Sequence, residues 1–312
     1  MSTAVGVIGV GLLGHAVASR LRAAGHDVVG HDVLPERVAV LRALGGRAAP
    51  SAAAVAETAD PVCTLLPSLA AAEVAILGTD GVLAGARPGG TLIQMSTISP
   101  ALTERLAREA AARGVGFLDC PVSGTSAMVA RGEGILLVGG EPALFARRRA
   151  LLETILPRAL HVGRAGQAMV VKLAANLLVG LHTAAAAEAL TLVRKAGLDP
   201  GRVLEVLTAS AGSSRMLELR GPMMVRDEYP AQMKLALFMK DVGLILDAGA
   251  AAGASLPLTE TARTLFAAAE AAGHGAEDLA VVAAALDPER SPGIEPGAPP
   301  SLPLDKPAPP VA

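Results

Sequence analysis

Five lysines occur in this 312-residue chain, Lys172, Lys195, Lys234, Lys240 and Lys306, and Lys172 stands inside a long apolar stretch. Residues 167–195 contain no proline and are rich in alanine, a strong helix former, so they predict one long helix. An ammonium group buried there is costly without a task. Desolvation lowers its pKa, toward the neutral range in which a general acid or base works best. Asn176 follows four residues later and shares the same helix face, where its amide can fix the group whose proton the lysine exchanges. Thr183 returns to that face and Glu188 points away from it. His182 lies roughly a quarter turn off by the 3.6-residue period and reads as a packing histidine. The competing account of Lys172 is a stem lying along apolar surface with its head in water.

A second constellation is Gly9-Val10-Gly11-Leu12-Leu13-Gly14, between a β-type run at 5–8 and a helical segment at 12–24. In such a loop Gly9 permits a tight turn, Gly11 lets the backbone approach a pyrophosphate, and Gly14 lets helix and strand pack closely. The following helix offers free N–H groups and partial positive charge to phosphates. Asp32 ends the next β-type run, 18 residues after Gly14, about where a ribose-binding acid stands in dinucleotide folds. An ordinary glycine-rich turn and a surface turn aspartate are the bland alternatives.

Pro121-Val122-Ser123-Gly124 places a serine and backbone amides where they could bind a carboxylate, or makes a simple turn. Ser123 lacks the glycine two residues earlier that a hydrolase nucleophile elbow requires. Lys240 and Asp241 are either a surface ion pair or part of a site. His26 follows Gly25, a helix C-cap, and reads as structural.

These residues need elements to hold them. Short β-type runs at 5–8, 27–30, 61–66, 91–95, 116–118 and 135–138 alternate with helical stretches such as 12–24 and 35–44. That alternation predicts a doubly wound parallel sheet. From about Gly166 the character changes. The long helix is followed by helical segments near 201–210, 231–252, 257–272 and 276–286, with a loop between the first two that carries Arg215. The chain therefore divides into a dinucleotide-binding domain at 1–163, an all-helical domain at 164–287 and a proline-rich tail at 288–312, whose composition predicts disorder.

Composition narrows the partners. The formal net charge is −2 and aromatic residues make up 2%, without a basic patch, which argues against nucleic acid. Two cysteines, Cys63 and Cys120, make neither a disulfide framework nor a metal-ligand pair, and no ligand cluster for a metal is visible. A reducing cytoplasm fits. The apolar stretch near 173–193 is interrupted by His182 and Glu188, which suits a buried helix better than a membrane span of about 20 apolar residues.

Three further segments resemble the β-hydroxyacid dehydrogenase family, the 3-hydroxyisobutyrate dehydrogenase type. Asp119-Cys120-Pro121-Val122-Ser123-Gly124 resembles its substrate-binding signature. Gly166-Gln167-Ala168-Met169-Val170-Val171-Lys172 with Asn176 resembles its catalytic signature, and Lys240-Asp241-Val242-Gly243-Leu244-Ile245-Leu246-Asp247 a C-terminal cofactor signature. Leu66-Pro67 and Ser96-Thr97-Ile98 are similar to segments that border the nicotinamide. The resemblance runs from residue 5 to about 286.

It implies NAD, with NADP possible, held by Gly9, Gly11, Leu12, Leu13, Gly14, Asp32, Leu66, Pro67, Thr97 and Lys240. It implies a small hydroxy-acid substrate held by Ser123, Gly124, Thr125 and Arg215, Lys172 and Asn176 as the catalytic pair, and a homodimer or homotetramer built through the helical domain. Thr125 replaces a second family glycine, Ala168 another, and Ala175 the first of two asparagines. Relatives in the family act on 3-hydroxyisobutyrate, tartronate semialdehyde, glyoxylate or succinic semialdehyde, L-serine and L-threonate. Residues 180–190 and 211–217 are similar to the threonate type, although Arg215 and Met233 stand where aromatic residues are common. Imine reduction and a non-catalytic, NAD-binding protein are the other expectations to weigh. Lys172 and Asn176 speak against both.

Overall fold

The apolar run at the N-terminus forms β1 (Ala4–Ile8), buried along its whole length, as a parallel strand covered on both faces should be. In this computed structural model, which describes residues 4–287, the chain continues through α1 (Leu12–Ala23), β2 (Val28–His31), α2 (Pro35–Ala43), β3 (Arg47–Ala48), α3 (Ala52–Thr58), β4 (Ala59–Thr64), α4 (Leu69–Leu77), α5 (Val82–Gly85), β5 (Thr91–Gln94), α6 (Pro100–Ala112) and β6 (Gly116–Asp119). These six strands pair in parallel in the order β3-β2-β1-β4-β5-β6. The order reverses between β1 and β4, and open sheets of this kind bind ligands at that point, beyond the carboxyl ends of the strands. The sheet is completed by β7 (Val122–Ser123), α7 (Ser126–Ala130), β8 (Ile135–Gly140), α8 (Pro142–Ile155) and β9 (Ala159–Gly163). Strand β8 runs antiparallel to β6 and β7 and parallel to β9.

Alternate residues feed the two faces of the sheet. Val5 and Val7 enter one apolar cluster with Leu21, Leu118 and Leu136, whereas Ala4 and Ile8 enter the other with Val55, Ile76 and Leu106. This is the period-2 alternation of a strand.

After Gly163 the secondary structure is helical throughout the described residues: α9 (Gln167–Lys195), α10 (Pro200–Ala209), α11 (Arg215–Arg226), α12 (Leu235–Ala252), α13 (Pro257–Ala271) and α14 (Val282–Leu286), with short 3-10 turns at His274–Ala276 and Leu279–Val281. The fold is thus a Rossmann-type doubly wound sheet followed by a helical domain entered through α9. At 29 residues and 1.5 Å per residue, α9 is about 44 Å long. Its first turns pack on β7, β8 and β9 and its remainder on α10 to α14, so one rigid element crosses from sheet to helices.

Several boundaries differ from expectation, each for a local reason. The loop expected to carry Arg215 is α11, whose Gly221-Pro222 pair masks the helical pattern. Gly221 is there for packing, since a Cβ on it would lie 2.6 Å from Leu204. The helix expected from 231 starts at Leu235, and the segment 276–286 is broken. Buried Asp278 links the two segments. Its carboxylate accepts the amides of Gln232 and Met233, caps the 3-10 turn at Leu279–Val281 through the Ala280 amide, and pairs with Arg220 at 2.8 Å. His182 is exposed on the outer side of α9 rather than packed, because the neighbouring helices cover the opposite face. The tail at 288–312 lies outside the described residues.

Candidate active site

The glycine loop has the geometry its spacing predicts. Gly9 has φ +87°, and a Cβ there would stand 2.3 Å from the Leu65 carbonyl oxygen; on Gly14 it would stand 1.9 Å from that of Gly9. Those two glycines are required by the protein itself. Gly11 differs, because a Cβ there would meet only the Arg37 guanidinium, at 3.6 Å. Nothing among the described residues therefore requires a glycine at 11. Helix α1 begins at this loop without a side-chain cap or an acidic residue in its first turn, which leaves its N–H groups and positive end for an anion. Leu12 is 81% exposed at its start and Val33 is 84% exposed beside the end of β2. These features fit a dinucleotide.

Asp32 is buried at the same edge. Its Oδ2 accepts the Val10 amide at 2.7 Å and its Oδ1 the Leu34 amide at 3.0 Å, while Arg37 lies 3.6 Å away. The acid therefore holds the glycine loop in shape, with Arg37 beside its charge. The loops after β4 and β5 are tied together where Leu66, which precedes Pro67, donates its amide to Ser96 Oγ at 2.8 Å.

The second part of the site is built on α9. Gly166, with φ +90°, starts the helix without a side chain to cap it. Lys172 and Asn176 are 7% and 4% exposed. Asn176 donates from Nδ2 to Asp241 Oδ2 on α12 at 2.8 Å. The other oxygen of Asp241 lies 3.2 Å from Lys240 Nζ. Lys240 in turn donates to the Thr97 carbonyl oxygen at 2.8 Å. A polar chain thus runs from the loop after β5 through Lys240 and Asp241 to Asn176, beside Lys172.

Burial pushes the Lys172 ammonium down to about 8, partly countered by the nearby Asp241 carboxylate and reinforced by the charge of Lys240. A lysine in that range is neutral often enough to accept a proton and charged often enough to return one. Thr183 is buried on the same face, but its hydroxyl is spent on the Val179 carbonyl at 2.7 Å.

Ser123 ends β7, which packs against α9. Gly124 follows with φ +155°, and a Cβ there would be 3.5 Å from Gly134 Cα and 3.7 Å from the Glu133 carbonyl oxygen. Thr125 caps α7, accepting the Met128 amide at 3.3 Å, which gives this threonine a structural use where a glycine was expected. Arg215 is the first residue of α11, 71% exposed in its side chain and paired with Glu218 at 2.7 Å. Its charge nevertheless reaches the loop against Gly124. The Glu133 carboxyl is held below the usual carboxylate range by the bonded Arg131 guanidinium and, to a smaller extent, by Arg215.

Asp241, which the sequence offers only beside Lys240 as a surface pair or part of a site, is the residue whose own role the sequence does not give. The available signal was the Lys240-Asp241 pair set within a largely apolar helix. Among the described residues no group of three or more His, Cys, Asp or Glu is placed to hold a metal ion.

Known proteins are similar to this chain over most of its length. Residues 4–163 match the family described as the NAD binding domain of 6-phosphogluconate dehydrogenase, and residues 166–286 the family described as the NAD-binding domain of NADP-dependent 3-hydroxyisobutyrate dehydrogenase. The chain is 36% identical to L-threonate dehydrogenase of Cupriavidus necator over 283 residues, covering 90% of this chain and 95% of that protein. It is 37% identical to 3-hydroxyisobutyrate dehydrogenase of Pseudomonas aeruginosa over 271 residues, covering 85% and 91%. The solved structure of Mycobacterium tuberculosis 3-hydroxyisobutyrate dehydrogenase with L-serine superposes with a TM-score of 0.84 at 31% identity, covering 92% of this chain and all of that one.

Proposed function

The chain belongs to the β-hydroxyacid dehydrogenase family, and on that premise we propose that it oxidises a 3-hydroxy acid of three to four carbons to the semialdehyde or keto acid, or reduces it in reverse, with Lys172 as the proton carrier. The observation that carries this reading is the buried Lys172 beside the Asn176–Asp241 pair, at the junction of a dinucleotide-binding sheet and a helical domain. Bound NAD(P) supplies the hydride acceptor or donor. Ser123 and the amides near Gly124 hold the substrate carboxylate. Asn176, oriented by Asp241, fixes the hydroxyl, and Lys172 takes its proton; in reduction the same lysine returns a proton to the carbonyl oxygen.

A panel of short hydroxy acids, each assayed with NAD and with NADP, tests the activity and the cofactor together. An acid at the end of β2 accepts ribose hydroxyls and repels a 2′-phosphate, so NAD should give the higher kcat/KM. No turnover of any hydroxy acid would refute the assignment. NADP preference would refute only the role of Asp32, and would point to Arg37.

The threonate-type reading has its own support in the C. necator relative; Arg215 departs from that type and bears on this chain's own substrate preference, its charge acting on Glu133, whose carbonyl oxygen lies against Gly124. A guanidinium there suits a substrate with an additional polar or anionic group. Arg215→Ala is expected to raise KM for the best substrate up to about fivefold, the scale of an exposed charge pair, and to spare kcat. Unchanged kinetics with every accepted substrate would leave Arg215 a surface residue.

For the assembly we propose a homodimer or homotetramer through the helical domain, supported by exposed Val170, Val171, Leu178 and Leu192 on α9; a monomeric mass in light scattering would exclude it. A reducing cytoplasm suits the two buried, unpaired thiols Cys63 and Cys120.

A further inference from the structure

Asp119 is the last residue of β6 and is wholly buried, in register between Gln94 of β5 and Gly139 of β8. Its Oδ2 accepts two backbone amides from the far side of the domain junction, Gly166 at 3.1 Å and Met169 at 3.0 Å. These belong to the opening turn of α9, which has no cap of its own because its N-cap residue is glycine. An acid 47 residues upstream does the capping instead. The other oxygen, Oδ1, is buried without a hydrogen-bond partner.

This is an expensive way to start a helix. A buried, half-satisfied carboxylate costs free energy, and position 166, at φ +90° with Glu104 2.9 Å from where a Cβ would stand, does not admit a serine or threonine cap in its place. Burial pushes the Asp119 carboxyl up to about 7, against the two amides that pull it down, so the ionised form is held at a cost. What the arrangement provides is a fixed distance. Four residues after Asp119 the chain reaches Ser123, and three residues after Met169 it reaches Lys172. One carboxyl therefore joins the loop assigned to the substrate carboxylate to the turn that aims the acid–base group.

We propose that Asp119 is a positioning residue for the reaction, pinning the opening turn of α9 to the end of β6 and so setting where Lys172 stands relative to Ser123. The inference rests on the acid–base reading of Lys172. Asp119 touches neither substrate nor cofactor; it acts through the register of α9. Misplacing a catalytic group by about 1 Å can cost on the order of 10²-fold.

The test is a double-mutant cycle with Asp119→Asn and Lys172→Ala. Asparagine keeps the shape and one acceptor oxygen but loses the charge that strengthens the two bonds. Asp119→Asn alone should lower kcat about tenfold, with unchanged NADH affinity by titration. In the Lys172→Ala background the same change should leave the residual rate unaltered, because residues acting through one another are not additive.

Wild-type kcat in Asp119→Asn would overturn the proposal, as would an equal loss in both backgrounds. Full activity of Lys172→Ala alone would instead refute the acid–base reading, so the two failures are separable. If the asparagine variant does not fold, Asp119→Ser, smaller and still an acceptor, carries the same expectation. A thermal readout separates this role from plain packing. The folded-state pKa lies above the ordinary carboxylate value, so Asp119 costs stability increasingly as pH rises toward 7. The Tm of Asp119→Asn relative to wild type should therefore be higher at pH 8 than at pH 5. A pH-independent difference would contradict the buried, ionised state.

Discussion

Lys172→Ala should lower kcat by about 10²–10⁴-fold, the range that general acid–base catalysis contributes, while NADH binding by titration stays near wild type. The dinucleotide site proposed at Gly9–Gly14 and Asp32 belongs to the sheet domain, whereas Lys172 is on α9, so the two proposed functions are separable in space. The variant also removes a buried ammonium whose charged form is disfavoured by burial, so loss of the fold is not the expected cause of lost activity. Lys172→Arg should not restore the rate, because a guanidinium does not release its proton near neutral pH. A folded Lys172→Ala enzyme with most of its kcat would exclude this lysine from the chemistry.

The next largest effects are expected at the glycine loop, and they should differ between two neighbouring glycines. In Gly14→Ala the added Cβ would stand 1.9 Å from the Gly9 carbonyl oxygen, so the loop must open. Overpacking costs about 1–3 kcal/mol, and an overlap with backbone belongs at the upper end, about a hundredfold if it falls on cofactor affinity. Both Tm and NADH affinity should fall. In Gly11→Ala the nearest group is the flexible Arg37 guanidinium at 3.6 Å, so Tm should hold while NADH affinity falls, since the methyl occupies the side from which phosphate approaches. Equal NADH affinity in Gly11→Ala and wild type would place the pyrophosphate elsewhere.

Both halves of the site were legible in the sequence where function is written over a short span. The glycine loop and Asp32 lie within 24 residues, and Lys172 and Asn176 lie one turn apart on a helix that propensity alone predicts. The partners that hold these residues were not legible, because they meet only through the tertiary fold. Asn176 and Asp241 are 65 residues apart, and Asp119 reaches amides 47 and 50 residues on. Asp119 was visible as part of a family signature, but nothing local shows that it caps a helix.

Arg215 opens helix α11 where the sequence predicts a loop; Gly221 and Pro222 within that helix obscure its pattern. His182 was assigned to packing because periodicity gives the angle between side chains but not which angles are covered. Thr125 departs from the family glycine, and only the structure reveals its hydroxyl as the cap of α7.

The central claim is that Lys172 exchanges the proton, and the pH dependence of kcat for hydroxy-acid oxidation at saturating NAD tests it most directly. The base must be neutral, so the wild-type rate should rise with pH through a single ionisation near 8, below the free-lysine value of about 10.4. The residual rate of Lys172→Ala should lack that limb. An ionisation near 8 that persists in Lys172→Ala, or a wild-type rate that is flat across it, would contradict the account.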